Sequence, residues 1–264
     1  MSALYNVSSS PHVRSKLSTG QVMYDVILSL MPATFFGIYH FGLHAALVIA
    51  ISIACACISE FVFDYIVGKP NTLKDGSAVV TGLLLALCLP ASVDLYIPAL
   101  GSIFAMIVVK GLFGGLGKNF MNPALAGRCF LLISFSGAVT NFAVDGMSSA
   151  TPLVDMENGV SVNVWEMFLG YTNGVIGCSI AALLIGGVYL LVVDGITFEI
   201  PLATLVSFSL FIALFGGKGF DPVFILAHLC GGGIVMGAVF MATDPVTSPV
   251  TSSGQLLFGC AVGI

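Results

Sequence analysis

The feature that most constrains this chain is a succession of long apolar runs separated by short polar breaks. They are readable near residues 22–39, 43–66, 77–90, 97–113, 123–139, 174–193, 199–215 and 222–241, with a ninth beginning at Gln255. Crossing roughly 30 Å of hydrocarbon takes about 20 apolar residues in a helix, because only a helix or a closed barrel satisfies its own backbone there. Hydrophobic residues make up 58% of the chain and charged ones 8%, against about a quarter charged in soluble domains. The expectation is an all-α polytopic membrane protein, with 1–21 as a cytoplasmic tail and 22–264 as a single transmembrane domain. The ninth run meets the end of the sequence at Ile264, too early to cross, so further residues are expected beyond it. The net charge of −5 is scattered through loops, where it sets topology. A bilayer is therefore the partner, and nucleic acid is not.

Lys and Arg give the orientation. Arg14 and Lys16 in the tail, Lys69 and Lys74 after the second run, and Lys110 and Lys118 at the end of the fourth lie on the cytoplasmic side. Residues 140–173 then fall outside, and they carry Asp145, Asp155, Glu157 and Glu166 without Lys or Arg. Lys218 is the exception to the alternation. The serine-bearing start lacks a short apolar core with a small-residue cleavage site, so it is not read as a signal peptide. Seven cysteines lie within apolar segments and fit no secreted disulfide framework, so they are expected to be buried and inert.

Several runs are interrupted in ways a simple bundle does not need. The third ends Leu87-Cys88-Leu89-Pro90, the fourth enters a glycine cluster at 111–117, and the eighth leads into Thr243-Asp244-Pro245. Irregular backbone at membrane depth survives only where protein or a cavity satisfies it, and paired interruptions in two halves mark transporter binding sites. The glycine cluster fails as an ATP-binding phosphate loop. Leu112 stands at the first required glycine, and Asn119 follows Lys118 where Ser or Thr must hold magnesium. Lys118, Asn119, Asn122 and Arg128 follow within about three turns and suggest a polar ligand or ion path. Asp25, Glu60 and Asp244 are the candidate ion-path carboxylates; Glu60 and Asp64 share a helix face, which fits either an ion relay or an interface-facing pair. No metal site or catalytic group is expected; His40 and His44 lack a third ligand.

The outer loop contains Asp145-Gly146-Met147-Ser148-Ser149-Ala150-Thr151-Pro152, whose small residues would let a large planar partner approach the backbone. A bare threonine is a poor nucleophile, so a functional Thr151 would carry a modification installed by another enzyme. A polar turn with Pro152 holding its predecessor extended accounts for the same residues.

Four stretches together resemble the NqrB/RnfD family, in the family's order and over most of the chain. They are Asp75-Gly76-Ser77-Ala78-Val79-Val80-Thr81-Gly82, the run from Gly114 to Arg128, Ser149-Ala150-Thr151-Pro152-Leu153, and Met241-Ala242-Thr243-Asp244-Pro245-Val246-Thr247-Ser248-Pro249. The short tail and compact loops are most similar to the RnfD branch, the D subunits of ion-translocating Rnf ferredoxin:NAD oxidoreductase complexes.

The resemblance implies a ten-span fold of two inverted halves with broken helices, of which about nine spans are visible. It implies FMN joined through its phosphate to Thr151 by a separate flavin transferase, with Asp145, Ser148, Ser149 and Ala150 forming the recognition motif. Ser149 takes the usual glycine position. It also implies a non-covalent riboflavin near Asn119 and Asn122, with Arg128 in the same run. Where relatives commonly show Gly-Glu-Thr/Ser, this chain reads Gly177-Cys178-Ser179, which removes one carboxylate from any ion-coupling role. The implied activity is electron relay within a redox-driven Na+ or H+ pump of the inner membrane, beside flavin and iron–sulfur subunits. A flavin supplies one- and two-electron chemistry that the protein positions and tunes. The chain itself has no dinucleotide fingerprint and no four-cysteine cluster. The competing expectation is a cofactor-free channel or secondary transporter, which explains the broken runs without using Thr151.

Overall fold

The computed structural model describes residues 18–68, 72–144, 147–148, 152–157, 162–231 and 233–264. These are helical, apart from connecting loops and a short antiparallel hairpin in which Ala143–Val144 (β1) pairs with Met147–Ser148 (β2). Helix α1 spans Thr19–Val67, α2 Ser77–Leu87, and α3 Tyr96–Phe104, which runs on as π-helix over Ala105–Gly111. Then come α4 (Pro123–Ser134), α5 (Ser136–Val139), α6 (Pro152–Glu157), α7 (Val164–Leu169), α8 (Ile180–Val192) and α9 (Glu199–Phe215). The chain closes with α10 (Pro222–Gly231), α11 (Ile234–Met236) with a π-helical extension over Gly237–Met241, and α12 (Ser252–Gly263).

The first two expected spans form one helical element folded back on itself. Ser18 and Gln21 start it with a reciprocal capping box. Gly42 interrupts it at φ 74°, ψ −159°, a conformation open to a residue without Cβ. Both arms return to the same end of the molecule. Met23 and Ile27 pack beside Gly76, while Asp64 accepts from the N–H of Thr72. At the opposite end His44 lies 2.6 Å from the Ala91 carbonyl. Its exposed surface is largely apolar, with Tyr39, Leu43, Ile58 and Ile66 exposed on it, as lipid contact requires.

Thr19–Val67 is long and apolar enough to cross a bilayer, and Pro222–Gly231 with Ile234–Met241 passes as a pair bent by 65°. The other apolar helices are shorter, so the expected spans are not uniform rods. The run expected at 174–193 becomes helical only at Ile180, behind a non-helical segment that bridges Val175 to Pro90. That segment has a specific task. The N–H groups of Ile176 and Gly177 donate to the Leu89 and Leu87 carbonyls, both at 2.9 Å, where α2 stops. Buried helix ends leave carbonyls without intrahelical partners, and here the crossing chain supplies them.

Small residues set the helix spacing. A Cβ on Gly82 would lie 2.8 Å from the Ile53 Cα, and one on Gly186 would overlap the Ser29 carbonyl. Ser52 donates to the Gly82 carbonyl at 2.7 Å and lies 2.9 Å from Ser102 Oγ, tying α1, α2 and α3 together inside the core. The cysteines are all free thiols, but Cys129 and Cys260 are exposed, which corrects the expectation that all would be buried. Gly82→Val should cost about 1–3 kcal/mol by overpacking, read as a lower unfolding temperature in detergent. Gly137→Ala, which meets nothing within 4 Å, should leave that temperature unchanged.

Candidate functional site

Two cavities lie at opposite ends of α2. The first, near its N-terminus, is bordered by Thr81, Lys110, Asn119, Asn122, Thr243 and Asp244 and encloses about 70 Å³. The second, beyond its C-terminus, is bordered by Cys88, Arg128, Pro152, Asn173, Cys178 and Cys230 and encloses about 180 Å³. The two π-helical stretches deliver the polar loops to the first cavity. Ala105–Gly111 ends on the turn at Gly114, Gly115 and Gly117, and Gly237–Met241 ends on Thr243-Asp244-Pro245. Gly114, Gly115 and Gly117 have φ of 113°, 101° and 88°, so the glycine cluster is a turn before it is a packing surface.

Asn122 and Pro123 begin α4 in the usual way. The Asn122 side chain accepts from the Ala124 N–H at 3.0 Å, Pro123 occupies the first helical position, and Asn122 Nδ2 donates to the Met241 carbonyl at 3.4 Å. Much of the hydrogen-bonding capacity of Asn122 is thus structural. Asn119 differs. Its Nδ2 donates to the Met121 carbonyl at 3.1 Å, but its Oδ1 is buried with no partner among the described residues. A buried acceptor left open costs about 1–3 kcal/mol, which a donor in the cavity would relieve. On the same cavity, burial pushes the Asp244 carboxyl above its ordinary range, opposed by the Val246 N–H and the Thr247 hydroxyl.

Arg128 does not join Asn119 and Asn122. It is half-buried and borders the second cavity, as Pro152 does. Asp145, Ser149, Ala150 and Thr151 lie outside the described residues, and Ser148 is described only as part of β2. Pro152 opens α6 immediately after Thr151.

The candidate ion-path carboxylates sit in three environments. Asp25 accepts from the Tyr189 hydroxyl at 3.2 Å and borders neither cavity. Asp244 borders the first cavity. Glu60 is buried beyond it, in an ion pair with Lys110 at 2.5 Å. Lys110 also donates to Ser77 Oγ at 2.6 Å, and Thr72 Oγ1 lies 2.7 Å from Glu60 Oε1 and 2.8 Å from Asp64 Oδ2. Sequence reasoning used Lys110 only as a topology marker, quoted Ser77 only within a family stretch, and passed over Thr72. The available signal was a lysine inside the apolar run Ala105-Met106-Ile107-Val108-Val109 that precedes it.

A family model described as "NQR2, RnfD, RnfE family" matches residues 6–264. The chain belongs to this family. Among curated relatives, it is 43% identical to the D subunit of the Na(+)-translocating ferredoxin:NAD(+) oxidoreductase complex of Acetobacterium woodii, over 98% of this chain and 82% of the relative. It is 39% identical to the D subunit of the proton-translocating ferredoxin:NAD(+) oxidoreductase complex of Clostridium ljungdahlii, covering 98% and 84%. The D subunit of the ion-translocating oxidoreductase complex of Stutzerimonas stutzeri is 35% identical, covering 93% and 81%. The expected resemblance to the RnfD branch is borne out, and family membership makes this an all-helical membrane protein. The relatives named for sodium and for protons are similarly close.

The buried pair has a measurable signature. Lys110→Met or Glu60→Gln alone should destabilise the protein by about 3–5 kcal/mol, because each strands a buried partner. The double variant E60Q/K110M should recover most of that loss in thermal unfolding measured in choline buffer.

Proposed function

We propose that this chain is the electron-relaying membrane subunit of an ion-translocating ferredoxin:NAD oxidoreductase complex, carrying FMN as a phosphoester on Thr151. The observation that supports this best is the second cavity. Pro152, the neighbour of Thr151, shares its wall with Arg128, whose guanidinium is a planar cation suited to an FMN phosphate or to a reduced ring system. Asp145, Ser148, Ser149 and Ala150 provide the sequence recognised by a flavin transferase. The bound flavin supplies the one- and two-electron chemistry. The chain's own residues fix the tether, offer a cation, and surround the cavity with apolar side chains that limit water.

The first cavity is assigned a second, non-covalent flavin of the riboflavin type. Its fit rests on the open Asn119 Oδ1, which matches a ring N–H, with Thr243 and Asp244 bordering the same cavity. The enclosed volume is less than a tricyclic ring fills, so binding widens the cavity. Asn122 contributes mainly by holding α4 and Met241 in place. The partners are the flavin and iron–sulfur subunits of the complex, with the flavin loop on the outer side of the cytoplasmic membrane. The ion path includes Glu60 and Asp244, which lie on either side of Lys110, and Asp25 stands apart from them.

The test is in-gel flavin fluorescence of the denatured protein after co-expression with a flavin transferase, alongside intact mass. Wild type should fluoresce with an added mass fitting FMN, and Thr151→Val should lose both. An unmodified wild-type mass would remove the tethered-flavin reading and favour a cofactor-free transporter.

A further inference from the structure

A groove of about 380 Å³ lies between α9 and α10, away from both cavities, bordered by Leu205, Leu210 and Ala213 of α9, by Ile225 of α10 and by Phe220 between them. Its volume falls in the range of ligand pockets, about 300–1,000 Å³. Ser209 also borders it, but spends its proton on the Leu205 carbonyl at 2.7 Å. The lining is otherwise hydrocarbon, over a rise of about 12 Å along α9. Another face of α9, at Ala203 and Thr204, is taken by Gly259 and Gly263 of α12. Ile212 of α9 and Phe224 of α10 belong to one small buried cluster, so the two helices touch there and part along the groove.

One end of this groove carries a cation. Phe220 belongs to the connection 216–221 between the two helices, and so does Lys218, the lysine that departs from the alternation of Lys and Arg along the sequence. Lys218 is exposed, and its Nζ stands 5.2 Å from the centroid of the Phe224 ring. Every residue from Leu214 to Val223 is exposed as well, Phe215 and Phe220 among them, so the connection sets one ammonium amid apolar surface. In a family of membrane proteins, lysines and aromatic rings at a helix end mark the level of the lipid headgroups. A hydrocarbon groove that begins at such a level matches a molecule with an anionic head and an apolar tail.

We propose that the α9–α10 groove holds one acyl chain of an anionic phospholipid whose phosphate is met by Lys218. The tail replaces the side-chain contacts that the two helices do not make with each other, and the charge selects the head. A free phosphate would leave the groove empty, and a neutral hydrocarbon would leave Lys218 unused. The site takes no part in flavin chemistry. It acts on packing, because α10 ends at Gly231 on the wall of the second cavity, and the lipid steadies that helix against α9. The binding is therefore measurable whether or not Thr151 carries FMN.

The experiment is native mass spectrometry of the full chain in detergent, titrated with dioleoylphosphatidylglycerol or with dioleoylphosphatidylcholine. Wild type should hold one phosphatidylglycerol about fivefold more tightly than phosphatidylcholine, the factor that one lysine near a membrane surface supplies. Lys218→Ala should bind the two lipids equally, and Ala213→Phe, which fills the groove, should lose the tight lipid of either kind. Lys74→Ala, an exposed lysine elsewhere, should match wild type. An undiminished preference in K218A overturns the proposal, as does a tight lipid retained in A213F or a loss in K74A equal to that in K218A. If A213F does not fold, K218A decides alone, since its side chain is exposed. A protein occupant is tested in the assembled membrane complex with the photocrosslinker p-benzoylphenylalanine in place of Val206, which borders the groove. A lipid adduct is expected there, and an adduct to another subunit or to this chain itself overturns the proposal.

Discussion

The structure depends on one constraint, that a peptide group inside hydrocarbon must find its hydrogen-bond partner within the protein. A continuous helix meets it residue by residue. Helix α2 does not continue, and its last carbonyls are buried among Leu85, Leu87 and Leu89. The non-helical segment before α8 meets the need by donating from Ile176 and Gly177. This crossing joins distant parts of the chain inside the core, and the second cavity lies beside it.

Polar chemistry is confined to the places where such breaks leave room. Asn119, Asn122 and Asp244 gather where two π-helical stretches end, and Arg128 gathers with Pro152 at the other end of α2. Between the first cavity and the Glu60–Asp64–Thr72 cluster stands Lys110, whose long side chain reaches partners on α1 and α2. A buried ion pair is weak support for stability, since replacing both charges is often harmless. Beside it, Glu60 Oε2 is buried with no hydrogen-bond partner among the described residues. The apolar remainder of the surface, from Ile133 to Val192 and Leu214, fits lipid and adds no specificity.

The sequence made much of this legible, and the failures have physical causes. Apolar run length gave the membrane class, and α9 falls on the expected 199–215. Proline and glycine marked the breaks at Pro90 and at 111–117. The stretches that carry the family resemblance singled out Asn119, Asn122 and Asp244 for different roles, and the structure puts all three on one cavity. Arg128 was expected beside Asn119 because it follows closely in sequence, but the helix α4 between them carries it to the other cavity. Lys110 was read as a cytoplasmic-side charge at the end of the fourth run, since a lysine there has the same local sequence whether it reaches water or a buried glutamate.

What the sequence by itself determined was the solvent, the helical class and the family, because those follow from composition, run length and ordered motifs. Tertiary structure decided which polar residues share a cavity. It also decided that α1 turns back at Gly42, that the chain before α8 feeds the end of α2, and that Glu60, Asp64, Thr72 and Lys110 form one cluster. These outcomes depend on contacts between residues far apart in sequence, as with Lys110 on Glu60 and Ile176 on Leu89. No periodicity within one helix carries that information, because a side chain's partner is set by how helices pack and not by the helix that bears it.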